Sequence, residues 1–372
     1  MMAARSKGLT WVRCWCWILW LVHALLSGTA SAGAAQQAAP VVPEHPNPIV
    51  GGPFPIRSLS PIQLLFFQFI PERAVPIPRG AWNARVDVVD ANILARGRRQ
   101  DDFFRFDFEL TRANLALQYG VFDRLGLELE IPVIYTWKGF LDDFIKGFER
   151  TTGFKRTIRF DRPQHLFAHV LEKNGDVVLQ GQSGAVGLGD IAVSTKALLR
   201  EEGPWAPAIA GRFALKLPTG DEDRALGSGE LDVGLGLALE KTLGPARVYF
   251  NGGLTVPTGD PFARAGIDTA PMFSGFLTGE YRISERFSLL VQLNGVSSPL
   301  RHTGLDISKA TFEILAGLSW VIPGTSLVWQ AGLMQDLDNS DRTADFALFT
   351  SWSLFFGHPA FRPPSCCKEQ AP

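Results

Sequence analysis

Residues 125–133 read LGLELEIPV. Leu125, Leu127, Leu129, Ile131 and Val133 alternate with Gly126, Glu128, Glu130 and Pro132. A strict period of two puts the aliphatics on one face of a strand and both carboxylates on the other. In a soluble sandwich the leucines would make the core and the glutamates would meet water. In a membrane barrel the leucines would meet lipid and the glutamates would face the interior. Which face points inward decides what kind of molecule this is.

The alternation recurs along the chain. Leu231, Val233, Leu235, Leu237 and Leu239 oppose Asp232, Gly234, Gly236, Ala238 and Glu240. Ile191, Val193, Thr195, Ala197 and Leu199 oppose Ala192, Ser194, Lys196 and Leu198. Phe104, Phe106 and Phe108 oppose Arg105, Asp107 and Glu109, after which Leu115, Leu117 and Tyr119 carry the apolar set. That slip by one predicts a β-bulge near 110–113. From Trp82 onward the pattern predicts twelve strands: 81–94, 103–119, 125–135, 188–199, 206–217, 228–241, 246–256, 270–282, 287–299, 309–322, 327–338 and 344–356.

The connections discriminate between the two architectures. Short ones near 122–124, 201–205, 242–245, 283–286 and 323–326 alternate with long ones at 95–102, 136–187, 218–227, 257–269, 300–308 and 339–343. A soluble sandwich has no reason to sort loop length by parity. A transmembrane barrel does, with tight turns on the periplasmic side and long loops outside. The strands also exceed the roughly 5–6 residues common in soluble proteins and meet the about 9–11 that a tilted membrane strand needs. Trp82, Tyr135, Trp137, Trp205, Tyr281, Trp320, Trp329, Trp352 and Phe355 gather near strand ends, where interfacial girdles form. The expected fold is all-β: a twelve-stranded antiparallel transmembrane β-barrel with a long outer loop carrying a short helix. A periplasmic sandwich or closed soluble barrel is the alternative.

The flanking segments read differently. Arg5, Lys7, an apolar stretch broken by Arg13 and the small-residue site Ala30-Ser31-Ala32 make residues 1–32 an expected signal peptide. Its removal takes three cations and no acid, so net charge goes from −1 to −4. Neither value suggests nucleic acid as a partner. Cleavage also removes Cys14 and Cys16, leaving only adjacent Cys366 and Cys367, too few for a disulfide framework or a four-cysteine zinc site. Residues 33–80 are too proline-rich for regular structure, and PIQLLFFQFIP within them reads as a short strand, a plug inside the barrel or a sticky export segment. The barrel is expected over 81–357 and a disordered tail over 358–372. The chain is 46% apolar and 20% charged, as befits a folded protein.

Several stretches together carry a resemblance: GPFPIRSLSPIQLLFFQFIPERA, YGVFDRLGLELEIPV, GLGDIAVSTKALL and LPTGD. The first resembles the start of a family of exported Gram-negative proteins known only as a domain of unknown function. The others are similar, more loosely, to outer-membrane channel-like barrels associated with aromatic-compound degradation. The resemblance implies an outer-membrane location and a barrel. It transfers no catalytic residue.

With leucines outward, the interior is expected to hold Arg85, Asp87, Arg105, Asp107, Glu109, Glu128, Glu130, Lys196, Arg212, Lys216, Asp232, Glu240, Arg247, Glu280, Arg282, Gln292, Asn294, Glu313 and Gln330. Buried charges must be solvated or paired, so these groups line either a water-filled pore or a closed polar core. In the loop 136–187, Phe140, Phe144 and Phe148 fall at helical spacing and are gate candidates. Arg150, Lys155, Arg156, Arg159 and Arg162 follow, suited to lipopolysaccharide phosphates. HLFAHVLEKNGDVVLQG reads as a hairpin turning at Asn174-Gly175. KLPTGDE recurs as TVPTGDP; its carboxylates Asp221, Glu222, Asp223 and Asp260 lack EF-hand spacing and read as solvated turns. No cofactor or metal is called for.

The working function is passive passage of small solutes, hydrophobic or aromatic ones among them. Outer-membrane lipid, lipopolysaccharide, the solute and the barrel assembly machinery are the expected partners. The alternatives are a non-conducting structural or surface-interaction barrel and, more remotely, a lipid hydrolase using His165 and His169, for which no nucleophile elbow is present.

Overall fold

The computed structural model describes residues 51–141, 166–301, 303–337 and 342–361. The expected signal peptide, the cysteines, the loop helix with Phe144 and Phe148, and the cations of 150–162 lie outside the described residues, as does His165.

Seventeen strands follow in chain order. The first three are long: β1 (Trp82–Arg99), β2 (Asp102–Phe122) and β3 (Leu125–Trp137). Three short ones come next: β4 (Ala168–Lys173), β5 (Asp176–Gln180) and β6 (Ala185–Leu188). Then come β7 (Ala192–Arg200), β8 (Ala208–Lys216), β9 (Asp232–Leu243), β10 (Ala246–Pro257), β11 (Asp268–Thr269) and β12 (Met272–Arg282). The last are β13 (Phe287–Val296), β14 (Leu300–Arg301), β15 (Thr311–Val321), β16 (Leu327–Asp336) and β17 (Ala344–Phe356).

Twelve of these close a barrel in the order β1, β2, β3, β7, β8, β9, β10, β12, β13, β15, β16, β17, with β17 returning to β1 in antiparallel register. The twelve-stranded antiparallel barrel expected from the alternation is therefore the fold observed. Closure removes the unpaired edges that a sheet this size would otherwise expose. Tight turns gather at one end, as at 123–124 and 244–245, and longer connections at the other.

The wall shows which face is which. Leu127 is 44% exposed, whereas Glu128 and Glu130 are 6% and 3% exposed. Leu115, Leu235, Phe250, Leu277 and Leu333 likewise face out, giving the barrel a continuous apolar belt. At the tight-turn end Trp82 packs on Tyr119 (4.4 Å between centroids) and Trp329 stacks on Trp352 (5.7 Å), amphipathic rings at the rim of that belt.

Three details depart from expectation. There is no bulge in β2 at 110–113. Its ladder with β1 runs unbroken from Arg99↔Asp102 to Trp82↔Tyr119, so Phe104, Phe106 and Phe108 share the inner face with Leu110, Arg112 and Asn114. For the same reason 95–102 is not a long loop. It is the projecting end of a hairpin that turns at Gln100 in the left-handed region (φ 55°). At the other end of the chain, Pro359–Phe361 forms a 3-10 turn and Phe361 is buried with Ala81, Val321 and Val328, so the expected tail does not begin at 358.

The Asn174-Gly175 hairpin joins β4 to β5, with both turn residues at positive φ (54° and 87°), and pairs with β2 over Phe103–Asp107. β3 pairs with β7 over Leu125–Glu130 and with β6 over Val133–Thr136. The break falls at Pro132, which has no N–H to donate and accepts from the Gly189 N–H at 2.9 Å.

Candidate functional site

The lumen is occupied by residues 52–80 of the same chain. This segment has one 3-10 turn, Gln63–Leu65, and otherwise irregular backbone, so its polar groups need partners that no ladder provides. The wall side chains supply them. Gly52 O accepts from Gln330 Nε2 (3.0 Å) and its N–H donates to Glu280 (3.3 Å). Phe54 N–H donates to Gln292 (3.0 Å), and Ile56 O accepts from Gln292 and Asn294 (3.3 Å each). Ser58 Oγ and Leu59 N–H both donate to Glu313 (2.8 and 3.1 Å), and Ser60 Oγ donates to Arg342 O (2.9 Å). Those partners climb from the tight-turn end to the long-loop end.

After the turn at 63–65 the segment descends another part of the wall. Lys216 Nζ donates to Leu65 O (3.1 Å), Phe67 N–H to Asp232 (2.7 Å) and Thr255 Oγ1 to Phe67 O (2.9 Å). Arg212 then donates to Ile70 O (2.9 Å), and its guanidinium lies over the Phe69 ring at 4.4 Å. Asn251 brackets Glu72, accepting from its N–H (3.2 Å) and donating to its carbonyl (3.0 Å). At the foot, Gly80 N–H donates to Gly120 O (2.7 Å). The segment is a U-shaped loop that enters and leaves by the tight-turn end.

Ion pairs fasten it. Arg57 pairs with Glu130. Glu72 sits between Lys196 and Arg212, the latter at 2.6 Å. Arg73 pairs with Glu240 at 2.7 Å, which Arg247 approaches at 3.7 Å. Burial works against the Glu72 charge, but Arg212 and Lys196 outweigh it and hold the carboxyl below its usual range. Wall pairs complete the set: Arg85 with Asp87 (2.9 Å) and Glu128 (3.0 Å), and Lys216 with Asp190 (2.7 Å) and Asp232 (3.2 Å). Tyr249 Oη donates to Glu280 at 2.6 Å.

Apolar side chains of the loop complete the seal. Phe54, Leu59, Ile62 and Phe66 are fully buried against Val89, Ile93, Phe106 and Phe349, with Phe54 and Phe349 edge to face at 4.8 Å. Wall glycines make room. A Cβ on Gly234 would lie 2.7 Å from the Phe67 ring, and one on Gly236 2.9 Å from Phe69. The GLGLAL stretch is glycine-rich because two phenylalanines of the loop press on it.

The GLGD and PTGD motifs interlock. Asp190 accepts from Gly220 N–H (2.8 Å), Ser228 N–H (3.2 Å) and Lys216. In the second PTGD, Asp260 accepts from Thr269 N–H (2.8 Å) and Oγ1, which lowers its carboxyl below the usual range. Asp221 lies 3.6 Å from Arg224.

Arg85, Asp87, Glu128, Glu130, Arg212, Lys216, Asp232, Glu240, Arg247, Glu280, Gln292, Asn294, Glu313 and Gln330 are buried, and Lys196 is half-buried. Arg282 shares the strand face of Glu280 but is exposed at the rim. Arg105, Asp107 and Glu109 correct the expectation. They lie on the outer face, because the phenylalanines between them point inward to the loop. Arg105 is exposed, 3.7 Å from Asp107. Glu109 is buried outside the lumen, where Phe140 and Leu141 N–H donate to it (2.9 and 2.6 Å) and Gly139, at φ 76°, lets the backbone approach. Phe140 is exposed beside Trp137 (5.9 Å) on that outer face and does not stand in the lumen. Arg57, Glu72, Arg73, Asp190 and Asn251 were not anticipated. The signal for Arg57, Glu72 and Arg73 was their polarity in an otherwise apolar, proline-rich segment, for Asp190 its place at a strand break, and for Asn251 a polar residue on the inner face in mid-strand.

His169 stacks on Phe108 (4.3 Å) and meets Phe106 edge-on (5.4 Å), and neither ring nitrogen has a partner among the described residues. Burial pushes its imidazole down to about 3, so the ring is neutral. No described hydroxyl bonds to it as a nucleophile would.

An apolar-belted, closed antiparallel barrel with a polar lumen is the architecture of outer-membrane barrels. The family described as a protein of unknown function, DUF3187, matches residues 36–357, and the chain belongs to it. No curated protein matches it. Among solved structures, the COG4313 outer membrane channel from Pseudomonas putida F1 is similar with a TM-score of 0.53 at 17% identity, covering 78% of this chain and 100% of that one. The monoaromatic hydrocarbon channel CymD (TM-score 0.35, 11% identity, 81% and 98% covered) and the Pseudomonas putida toluene transporter TodX (0.35, 10%, 81% and 98%) are more distant. At these identities the likeness of the first is one of fold.

Proposed function

We propose that the protein is a narrow outer-membrane channel of a Gram-negative cell for small hydrophobic or aromatic solutes, closed by residues 52–80. The observation that carries this is the path of the loop, which enters and leaves by the tight-turn end. A chain threaded through a barrel cannot leave without unthreading; a U-shaped loop can be withdrawn as a unit. It is fastened by side-chain contacts to the wall and not by strand pairing, so release breaks those contacts and leaves the hydrogen-bond ladder of the barrel intact. The 17%-identical solved structure is that of an outer membrane channel, which supports this reading. Lipid and lipopolysaccharide would surround the belt, and the barrel assembly machinery would insert it.

The dense apolar packing of Phe54, Leu59 and Phe66 favours the second reading, a barrel whose lumen is permanently sealed. Planar-bilayer recordings separate the two. The full chain should show rare, small conductance steps, and deletion of 53–79 should make them large and continuous. Silence from both proteins would end the channel reading and leave the structural one.

A further inference from the structure

Beneath the turn at Gln63–Leu65, two cavities of about 20 Å³ each adjoin, sharing Leu64, Arg112, Ile134 and Leu226 as walls. One is polar, beside Arg57 and Glu130; the other is apolar, beside Phe108 and His169. Arg112 stands at the boundary. Its neighbours across the sheet are apolar, Val89 and Ile134, and along its own strand face Leu110 lies on one side and Asn114 on the other.

The polar groups here lack acceptors. Arg112 has no hydrogen-bond or ion-pair partner among the described residues, although Arg85, Lys196, Arg212, Lys216 and Arg247, the other buried or half-buried inward cations of the wall, each have at least one. Arg57, which lines the polar cavity, is 6% exposed, and its Nε is buried without a partner while its terminal nitrogen holds Glu130. His169, also 6% exposed, lines the apolar cavity, and both its ring nitrogens are buried without a partner. Arg57 is buried and Arg112 half-buried, and a guanidinium nitrogen taken out of water without an acceptor costs on the order of 1–3 kcal/mol when fully buried. Such groups are retained where an acceptor arrives from outside the chain.

From this juxtaposition of Arg112 and Arg57 with an apolar chamber we infer a binding site for an amphipathic monocarboxylate. Its carboxylate is held by the two guanidinium groups, and its aromatic or aliphatic body lies between Phe108, Ile134 and Leu226. The planar fork of arginine matches a carboxylate, and one such head is of the size the polar cavity admits. The body needs more room than the second cavity has. Leu64, half-buried and common to both cavities, is the side chain it displaces. Binding thereby strains the turn of the U-shaped loop. The inference deepens the channel reading and rests on it for the consequence of binding, but binding itself is measurable without passage.

The test is titration calorimetry of the folded full chain in a neutral detergent, with phenylbutyrate and its uncharged twin phenylbutanamide. Phenylbutyrate should bind at least about tenfold more tightly than the amide. Arg112→Gln should erase that preference, Arg112→Lys should restore part of it, and Leu64→Trp should block both compounds with the arginines intact. Equal binding of acid and amide to the native chain, or an undiminished preference in Arg112→Gln, would overturn the site. Carboxylate binding without any conductance would refute the channel and leave the site standing. Conductance with no preference for the acid would do the reverse.

Discussion

Leu127 and Glu128 are neighbours in the chain and opposites in surroundings, and this pair carries the orientation of the wall. Placing a cation on the lipid face costs about 2–4 kcal/mol near the bilayer midplane. Leu127→Arg should lose that much in denaturant titrations of the protein folded into vesicles. Glu128→Leu should lose less, because Arg85 keeps Asp87 as a partner at 2.9 Å. The opposite ranking would put the carboxylates outside. Glycine gives a second residue-scale test. A Cβ at Gly236 would lie 2.9 Å from the Phe69 ring, so Gly236→Val should push the loop off the wall, costing about 1–3 kcal/mol and raising conductance. Unchanged conductance and stability together would mean that Phe69 does not bear on the strand. Both faces of LGLELEIPV were legible in the sequence because a period of two is local. That Gly234 and Gly236 of GLGLAL share the inner face with Asp232 and Glu240 was legible too. What they pack against was not, since Phe67 and Phe69 belong to a distant segment with no period of its own.

At the scale of elements, the strands were readable and the faces of β2 were only half so. FFRFDFEL looks like a strand whose phenylalanines meet lipid. In fact Phe104, Phe106 and Phe108 point inward, because the upper lumen is filled by apolar residues of the loop, and Arg105 on the other face meets solvent. The rule that apolar side chains face out holds only where the lumen is polar, and the loop's fill is a non-local fact. Two predictions belong to the loop. Ser58 Oγ and Thr311 Oγ1 lie 3.2 Å apart, so Ser58→Cys with Thr311→Cys, in a background lacking Cys366 and Cys367, should cross-link the loop to β15. Oxidation should silence the channel and reduction should revive it; steps that persist after complete cross-linking would show that the loop is not the gate. The second concerns acid. The Glu72 carboxyl is depressed, so its contribution is full at neutral pH and is lost only as pH falls below the ordinary glutamate range, through the depressed value. Open probability should rise over that window, and Glu72→Gln should already be elevated at pH 7 and show no further step. An acid response that survives Glu72→Gln would assign it to another group.

Over the whole molecule, the wall charges are set against the loop as much as against one another. Asp87, Glu128, Glu130, Asp190, Asp232, Glu240, Glu280 and Glu313 face Arg85, Arg112, Lys196, Arg212, Lys216 and Arg247 across the lumen. Acids prevail on the wall, and Arg57 and Arg73 of the loop offset part of that excess through Glu130 and Glu240. Withdrawing the loop admits water, which solvates the wall ions, and leaves the anionic surplus to set the field in the pore. The barrel lacking 53–79 should therefore pass cations in preference to anions. The preference should weaken as salt is raised from 0.1 M towards 1 M, where screening shortens from about 10 Å to about 3 Å. Reversal potentials in asymmetric potassium chloride measure this directly. Glu130→Gln combined with Glu240→Gln should move them towards zero. A deletion barrel that prefers anions would mean that the buried carboxylates do not line the open path, and the lumen assigned to this wall would have to be redrawn.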